Sequence, residues 1–238
     1  MNTPTQIQQA LLRTDLWRLL AMSLACPTPD SRREVAQLAA ELGECLAEDG
    51  ASLATPVTLL HEALTATADS DLEGEYHSLF TTQVLVSPYE GSYHLTERGA
   101  IIGDIAAFYT AFALQPTAQS GPPDSLPNEL ALLASLALKE AYALEHGMAE
   151  ALEVTRTATR QFLEDHLGRW VTIFVRRLLG TTGHPVYVTA AQLLIEAVAL
   201  AADEVGIENF HYLPGAPATQ EAETVLCPVA TQCEAADI

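Results

Sequence analysis

Between Leu126 and Leu144 a stripe at helical spacing, Leu126, Leu130, Leu133, Ala134, Ala137, Ala141 and Leu144, lies in a stretch that is apolar on almost every side of the helical wheel. A helix that is apolar all round has no solvent face of its own, so other elements have to enclose it. This spacing therefore predicts a central helix inside a bundle, ended by Gly147. The longest apolar run, about Leu130 to Leu138, falls far short of the roughly 20 residues that span a bilayer.

The flanking sequence supplies the enclosing helices. Ile7, Ala10, Leu11, Trp17, Leu20, Ala21 and Leu24 make one stripe at helical spacing, opened by Thr3-Pro4 and stopped by Cys26-Pro27-Thr28-Pro29. Ser31 with Glu34 reads as a capping box for a second helix carrying Val35, Leu38, Ala39, Leu42 and Leu46. Thr55-Pro56 opens a third, with Val57, Leu60 and Leu64, and Ser70 with Glu73 opens a fourth that ends in Tyr76, Leu79 and Phe80. A fifth spans about residues 100–114, with Ile101, Ile105, Phe108 and Phe112 inward. Asp124 or Ser125 caps the central helix. A further helical region carries Leu152, Phe162, Leu163, Trp170, Ile173, Phe174 and Leu178, and His184-Pro185 starts the last long helix. No strand-like alternation competes with this pattern, so the fold class is all-α, a single compact helical bundle. The bundle is expected over residues 1–207. From Glu208 the pattern dissolves, and residues 208–238 are expected to form a mobile acidic tail.

The chain is acidic, with Asp+Glu 31 against Lys+Arg 11 and a net charge of −20. Such a surface repels phosphate backbones and argues against nucleic acid as a partner, while it attracts basic peptides. Of the four cysteines, none forms a CxxC pair, and Cys227 and Cys233 stand six apart in the polar tail, a weak metal signal. The N-terminus has no basic segment followed by an apolar core, so a cytoplasmic protein with reduced thiols and no stable membrane insertion is expected.

Recognisable reaction centres are missing. The chain has no Glu-x-x-His pair on the core face of a helix for a di-iron bundle, no His-Glu-x-x-His zinc motif, no phosphate loop and no Gly-x-Ser-x-Gly elbow. His77, His94 and Glu90 are near enough in sequence for a metal site, and Glu90, Asp104 and Asp124 for a carboxylate pair, but abundant carboxylates make such coincidences cheap. What stands out is the loop Ser87-Pro88-Tyr89-Glu90-Gly91-Ser92-Tyr93, too aromatic for a plain linker and punctuated by proline and glycine. A helical body, an aromatic loop and no reaction centre favour a binding protein without resident cofactor or metal over an enzyme.

Six segments in order resemble the TorD/DmsD/NarJ family of molybdoenzyme maturation chaperones. They are Glu75-Tyr76-x-x-Leu79-Phe80, Ser87 to Tyr93, Gly103-Asp104, Pro123-Asp124-x-Leu126 with Glu129-Leu130, Phe162 to His166-Leu167-x-x-Trp170, and His184-Pro185-x-Tyr187. The resemblance covers about residues 5–207. Ser125 stands where the family has histidine, so no role of that imidazole carries over, and Pro127 is nearer the nitrate-reductase branch. The resemblance implies a TorD-like fold and a non-catalytic chaperone of the catalytic subunit of a molybdopterin oxidoreductase. It would bind the client's N-terminal segment, often a twin-arginine leader, until cofactor insertion is complete. On that reading Tyr76, Leu79, Phe80, Tyr89 and Tyr93 line an apolar groove. Glu90, Asp104, Asp124 and Glu129, with Ser125 beside them, form an acidic rim for arginine forks. Tyr76, Glu90 and Tyr93 are expected at the surface, and Leu79 and Phe80 more in the core than in the groove. A monomer or homodimer is expected. The competing readings are a helical metal-dependent hydrolase built on His77, Glu90, His94 or Asp124, and a scaffold subunit of a redox complex.

Overall fold

A computed structural model of the chain describes residues 3–48, 50–95, 97–116, 121–211 and 213. These contain nine α-helices and no strand: α1 (Thr3–Ser23), α2 (Pro29–Glu48), α3 (Ala54–Ala66), α4 (Asp69–Tyr76), α5 (Arg98–Ala111), α6 (Leu126–Glu145), α7 (Ala149–Phe162), α8 (Gly168–Thr181) and α9 (Pro185–Glu204). The all-α expectation holds. Two π-helical turns, His77–Thr81 and Leu163–Leu167, extend α4 and join α7 to α8.

α6 occupies the centre, as its all-round apolar sequence requires, packed against α1 and α7. Leu126, Leu130, Leu132, Leu133 and Leu136 are fully enclosed, although Leu138 and Tyr142 near its C-terminal end reach solvent. α3 and α8 both pack on α9, and α2 packs on α3. α9 is the one helix among the described residues long and apolar enough to cross a membrane by length and composition, which the apolar-run estimate missed. Its Val186, Tyr187, Ala190, Ala191, Leu193 and Leu194 are buried in the protein core, a packing that equally accounts for its composition.

Several boundaries differ from the sequence reading. α2 starts at Pro29, and its reciprocal cap is Thr28 with Ser31: the Thr28 amide donates to Ser31 Oγ (2.8 Å) and the Ser31 amide to Thr28 Oγ1 (3.1 Å). Glu34 instead pairs with Arg18. α4 begins at Asp69, without the expected Ser70/Glu73 cap. On α1, Leu16 and Leu19 are buried while Leu11 is exposed. On α5, Tyr109 is the buried aromatic because its hydroxyl donates to the Asn128 carbonyl (2.7 Å); Phe108 and Phe112 lie half-buried beside the core. The packed body also runs past residue 207. Phe210 lies on Gly168, where any β-carbon would meet its ring, and Leu213 is buried with its amide on the Arg169 carbonyl (3.4 Å). Residues 214–238 of the expected tail, with Cys227 and Cys233, lie outside the described residues, whereas Cys26 and Cys45 are exposed free thiols.

Candidate functional site

The aromatic loop and the segment before α6, some thirty residues apart in sequence, are held as one unit. Tyr89 and Ser125 form an isolated antiparallel bridge. The Glu90 amide donates to the Asp124 carbonyl (2.9 Å), and the Leu126 amide to the Pro88 carbonyl (2.8 Å). Within the loop, Tyr93 Oη donates to the Ser87 carbonyl (2.7 Å) and the Ser87 and Ser92 hydroxyls meet at 2.7 Å. Asn128 Nδ2 ties down the Gly121 and Pro122 carbonyls (3.0 and 2.9 Å). Main-chain pairing accounts for the proline and glycine punctuation: the loop is shaped to dock on the start of α6.

Beneath it lies a buried polar cluster. Glu90, Asp124 and Glu129 are each 0% exposed. A fully buried carboxylate needs partners, and every oxygen of the three has one except Glu129 Oε1. His94 Nε2 donates to Glu90 Oε1 (2.8 Å) and His166 Nδ1 to Glu90 Oε2 (3.1 Å). The far nitrogen of His166 faces Asp104 Oδ2 at 3.4 Å. Trp170 Nε1 donates to Glu129 Oε2 (3.2 Å). Burial first, and then the Glu90 carboxylate beside it, hold the Glu129 carboxyl well above the usual carboxylate range. Both effects favour the protonated, neutral form of Glu129.

Asp124 is satisfied differently. Arg98, the first residue of α5, donates Nε to Oδ2 (2.7 Å) and a terminal guanidinium nitrogen to Oδ1 (2.9 Å), and the Gly91 amide adds a longer bond to Oδ2 (3.3 Å). The guanidinium also lies 4.5 Å from the centre of the Tyr89 ring. A β-carbon at position 91 would fall 2.4 Å from Arg98 Cγ, so glycine is what lets the arginine lie across the turn.

Aromatic rings connect the loop to the core. Tyr76 packs on Phe80 (5.2 Å), Phe80 on Phe174 and Tyr187 (6.2 and 5.7 Å), Phe174 on Trp170 (5.7 Å) and Trp170 on Tyr93 (5.1 Å). Arg177 of α8 covers the Tyr93 ring at 5.1 Å. Burial pushes the Tyr76 and Tyr93 phenols up to about 12, so both stay neutral donors. The loop between the π turn and α5 shows apolar side chains to solvent: Val84, Leu85 and, at 89% exposure, Leu95. Val84 takes a positive φ of 49°, a costly backbone for a β-branched residue.

The structure thus brings together most of the expected site residues but redistributes them. Tyr76, Tyr89 and Tyr93 are half-buried at the loop, and Leu79 and Phe80 are core. Glu90, Asp124, Glu129 and Ser125 are not a solvent-facing rim, because main-chain pairing turns them under the loop; of the acidic set only Asp104 faces water, at 67% exposure. Glu90 in particular is not at the surface. The cations over Tyr89 and Tyr93 are Arg98 and Arg177, which the sequence reading did not single out. Their scarcity, in a chain with 11 Lys+Arg, was the available signal. The grouping of His77 with Glu90 and His94 is not assembled: His77 turns to Thr81 Oγ1 (2.8 Å), and among the described residues no three His, Cys, Asp or Glu side chains are placed to hold a metal.

Comparisons with known proteins agree with this architecture. Residues 46–176 match the family described as nitrate reductase delta subunit. The selenate reductase assembly chaperone protein of Thauera selenatis is 36% identical over 132 residues, 53% of this chain and 67% of that one. The chlorate reductase assembly chaperone protein of Ideonella dechloratans is 36% identical over 116 residues, 46% of this chain and 58% of that one. The fold is shared with a solved protein from Archaeoglobus fulgidus described as a redox enzyme maturation protein (TM-score 0.52, 17% identity, 77% of this chain and 93% of that one). With the family match spanning the polar cluster, the aromatic loop and most of the bundle, the chain belongs to the nitrate reductase delta subunit family, within the NarJ/TorD group.

Proposed function

We propose that this protein is a cytoplasmic, non-catalytic chaperone for the catalytic subunit of a molybdopterin-dependent respiratory oxidoreductase. In this role it binds the client's basic N-terminal segment and holds the subunit until its cofactor is inserted. The observation that carries the reading is the loop of residues 84–95, where exposed Val84, Leu85 and Leu95 flank the half-buried Tyr89 and Tyr93 on a chain of net charge −20. Exposed apolar side chains suit an amphipathic segment, and the long-range field draws in a basic one. The names of the relatives support the class of client. The test is affinity capture of the tagged chain from its native cells grown anaerobically, with captured proteins identified by mass spectrometry. A molybdopterin oxidoreductase catalytic subunit is expected, and its capture should fail when its N-terminal segment is deleted. Capture that survives the deletion would favour a scaffold, and no capture from cells expressing such an enzyme would refute the proposal.

A further inference from the structure

We infer that Tyr89, Gly91 and Asp124 form a guanidinium-binding subsite, which Arg98 fills from within the chain and an arginine of a bound peptide takes over. The inference rests on the chaperone reading for the identity of the incoming segment, but the subsite itself rests on geometry. Its base is a carboxylate with 0% exposure whose two oxygens accept a two-pronged guanidinium contact at 2.7 and 2.9 Å. Its wall is the Tyr89 ring, 4.5 Å from the guanidinium carbon. Its floor is Gly91, whose missing side chain leaves the space and whose amide orients the carboxylate. A planar fork satisfies all three features together; an ammonium satisfies one oxygen at a time.

Arg98 is a poorly anchored occupant. Its side chain is 43% exposed, so it can leave into water. It opens α5, where a cation opposes the helix dipole. The cap residue Glu97 makes no side-chain capping bond, and Gly99 and Gly103 follow in the first turns although a β-carbon at either would meet nothing. Glycine inside a helix weakens it relative to alanine. The arginine is thus mounted on an uncapped, glycine-rich helix end, while the carboxylate it covers is held by the paired backbone of residues 88–91 and 124–126. Exchange of one guanidinium for another keeps Asp124 compensated throughout, which simple opening would not.

The experiment uses the full chain, Arg98→Ala and Arg98→Lys, with two kinds of probe. Thermal unfolding with added methylguanidinium or methylammonium reads the subsite directly. Both variants should unfold below wild type, and methylguanidinium, not methylammonium, should restore them. Titration with a synthetic peptide bearing paired arginines ahead of an apolar stretch reads the competition. Removing the internal occupant should tighten that peptide roughly ten- to a hundredfold, with little gain for a paired-lysine peptide. The lysine variant keeps a cation at the position and carries the test if the alanine variant does not fold. If methylguanidinium raises the variants no more than it raises wild type, and the peptide binds them no tighter, the subsite is overturned even where wild type binds the peptide and the chaperone reading survives. If methylguanidinium rescues both variants but no form binds the peptide, the pocket stands and its takeover by a peptide arginine is overturned, while the chaperone reading is decided by client capture.

Discussion

Gly91→Ala tests the Arg98–Asp124 clasp without touching either charged residue. The new β-carbon would sit 2.4 Å from Arg98 Cγ, 3.0 Å from its Cδ and 3.0 Å from Asp124 Oδ2, so the arginine must give up its pose. A hydrogen bond to a charged group contributes about 1.5–3 kcal/mol. Arg98 is 43% exposed, and screening with side-chain entropy discounts that to about 1–2 kcal/mol. Against this, Gly91 is not among the residues with positive φ, so alanine gains about 0.4–1 kcal/mol by restricting the unfolded chain. The net loss is about 1 kcal/mol, a fall in Tm of roughly 2–4 °C for a chain of this length. In an Arg98→Ala background the principal clash is gone while the chain-entropy gain remains, so the same substitution should be neutral or slightly stabilising there. Thermal and urea unfolding of the four proteins should give a coupling of about 1–2 kcal/mol. Additivity within about 0.5 kcal/mol would refute the argument that glycine is present to seat the arginine.

Glu129→Gln keeps an uncharged oxygen for the Trp170 N–H and removes a carboxyl whose folded pKa is raised by burial and by Glu90. A raised acid holds its proton in the folded state after the unfolded chain has lost it. Its contribution is therefore full below the ordinary glutamate range and is lost as pH rises toward the folded value. Wild type should become progressively less stable than Glu129→Gln above about pH 5 and converge with it below about pH 4; parallel stability curves would contradict this. Phe80→Ala should cost about 3–5 kcal/mol by urea unfolding, since the ring packs on Tyr76, Phe174 and Tyr187 with 3% exposure. A loss under about 1 kcal/mol would show that the aromatic chain is not core. Gly99→Ala should stabilise the start of α5 by about 0.5–1 kcal/mol and weaken binding of an arginine peptide; tighter binding would oppose the role given to that helix end.

The bundle was legible because apolar spacing reports burial directly: the wheel of Leu126 to Leu144 requires a central helix, and α6 is one. The site was legible in its members more than in its orientation. Tyr76, Tyr89, Tyr93, Glu90, Asp104, Asp124, Ser125 and Glu129 do converge, yet an acidic residue beside aromatics reads as surface when only composition is weighed. Burial of Glu90 depends on His94 four residues on and on His166 seventy-six residues on, and the latter contact follows from tertiary packing, not from local pattern. Asp124 read as a cap because aspartate before a helix is favoured there. α6 has Ser125 at its N-cap, with no side-chain capping bond, and Asp124 spends both oxygens on Arg98.

The two π turns have a consequence for how this protein tolerates change of length. Each holds one residue more than an α-helical path needs, and each falls inside a segment that carries the family resemblance: His77–Thr81 within Glu75 to Phe80 and beyond, Leu163–Leu167 within Phe162 to Trp170. The wider turn lets successive residues Leu79 and Phe80 both reach the core, and it brings His166 in beside Leu163 and Leu167. Such turns are absorbed insertions, so the ordinary helix is one deletion away. Removing Ser78 would restore the regular winding without reorienting the segments on either side, at the cost of the burial the wider turn gives Leu79 and Phe80. A one-residue deletion should therefore be accommodated in these two turns but not in the α-helices beside them, where it would rotate everything downstream by about 100°.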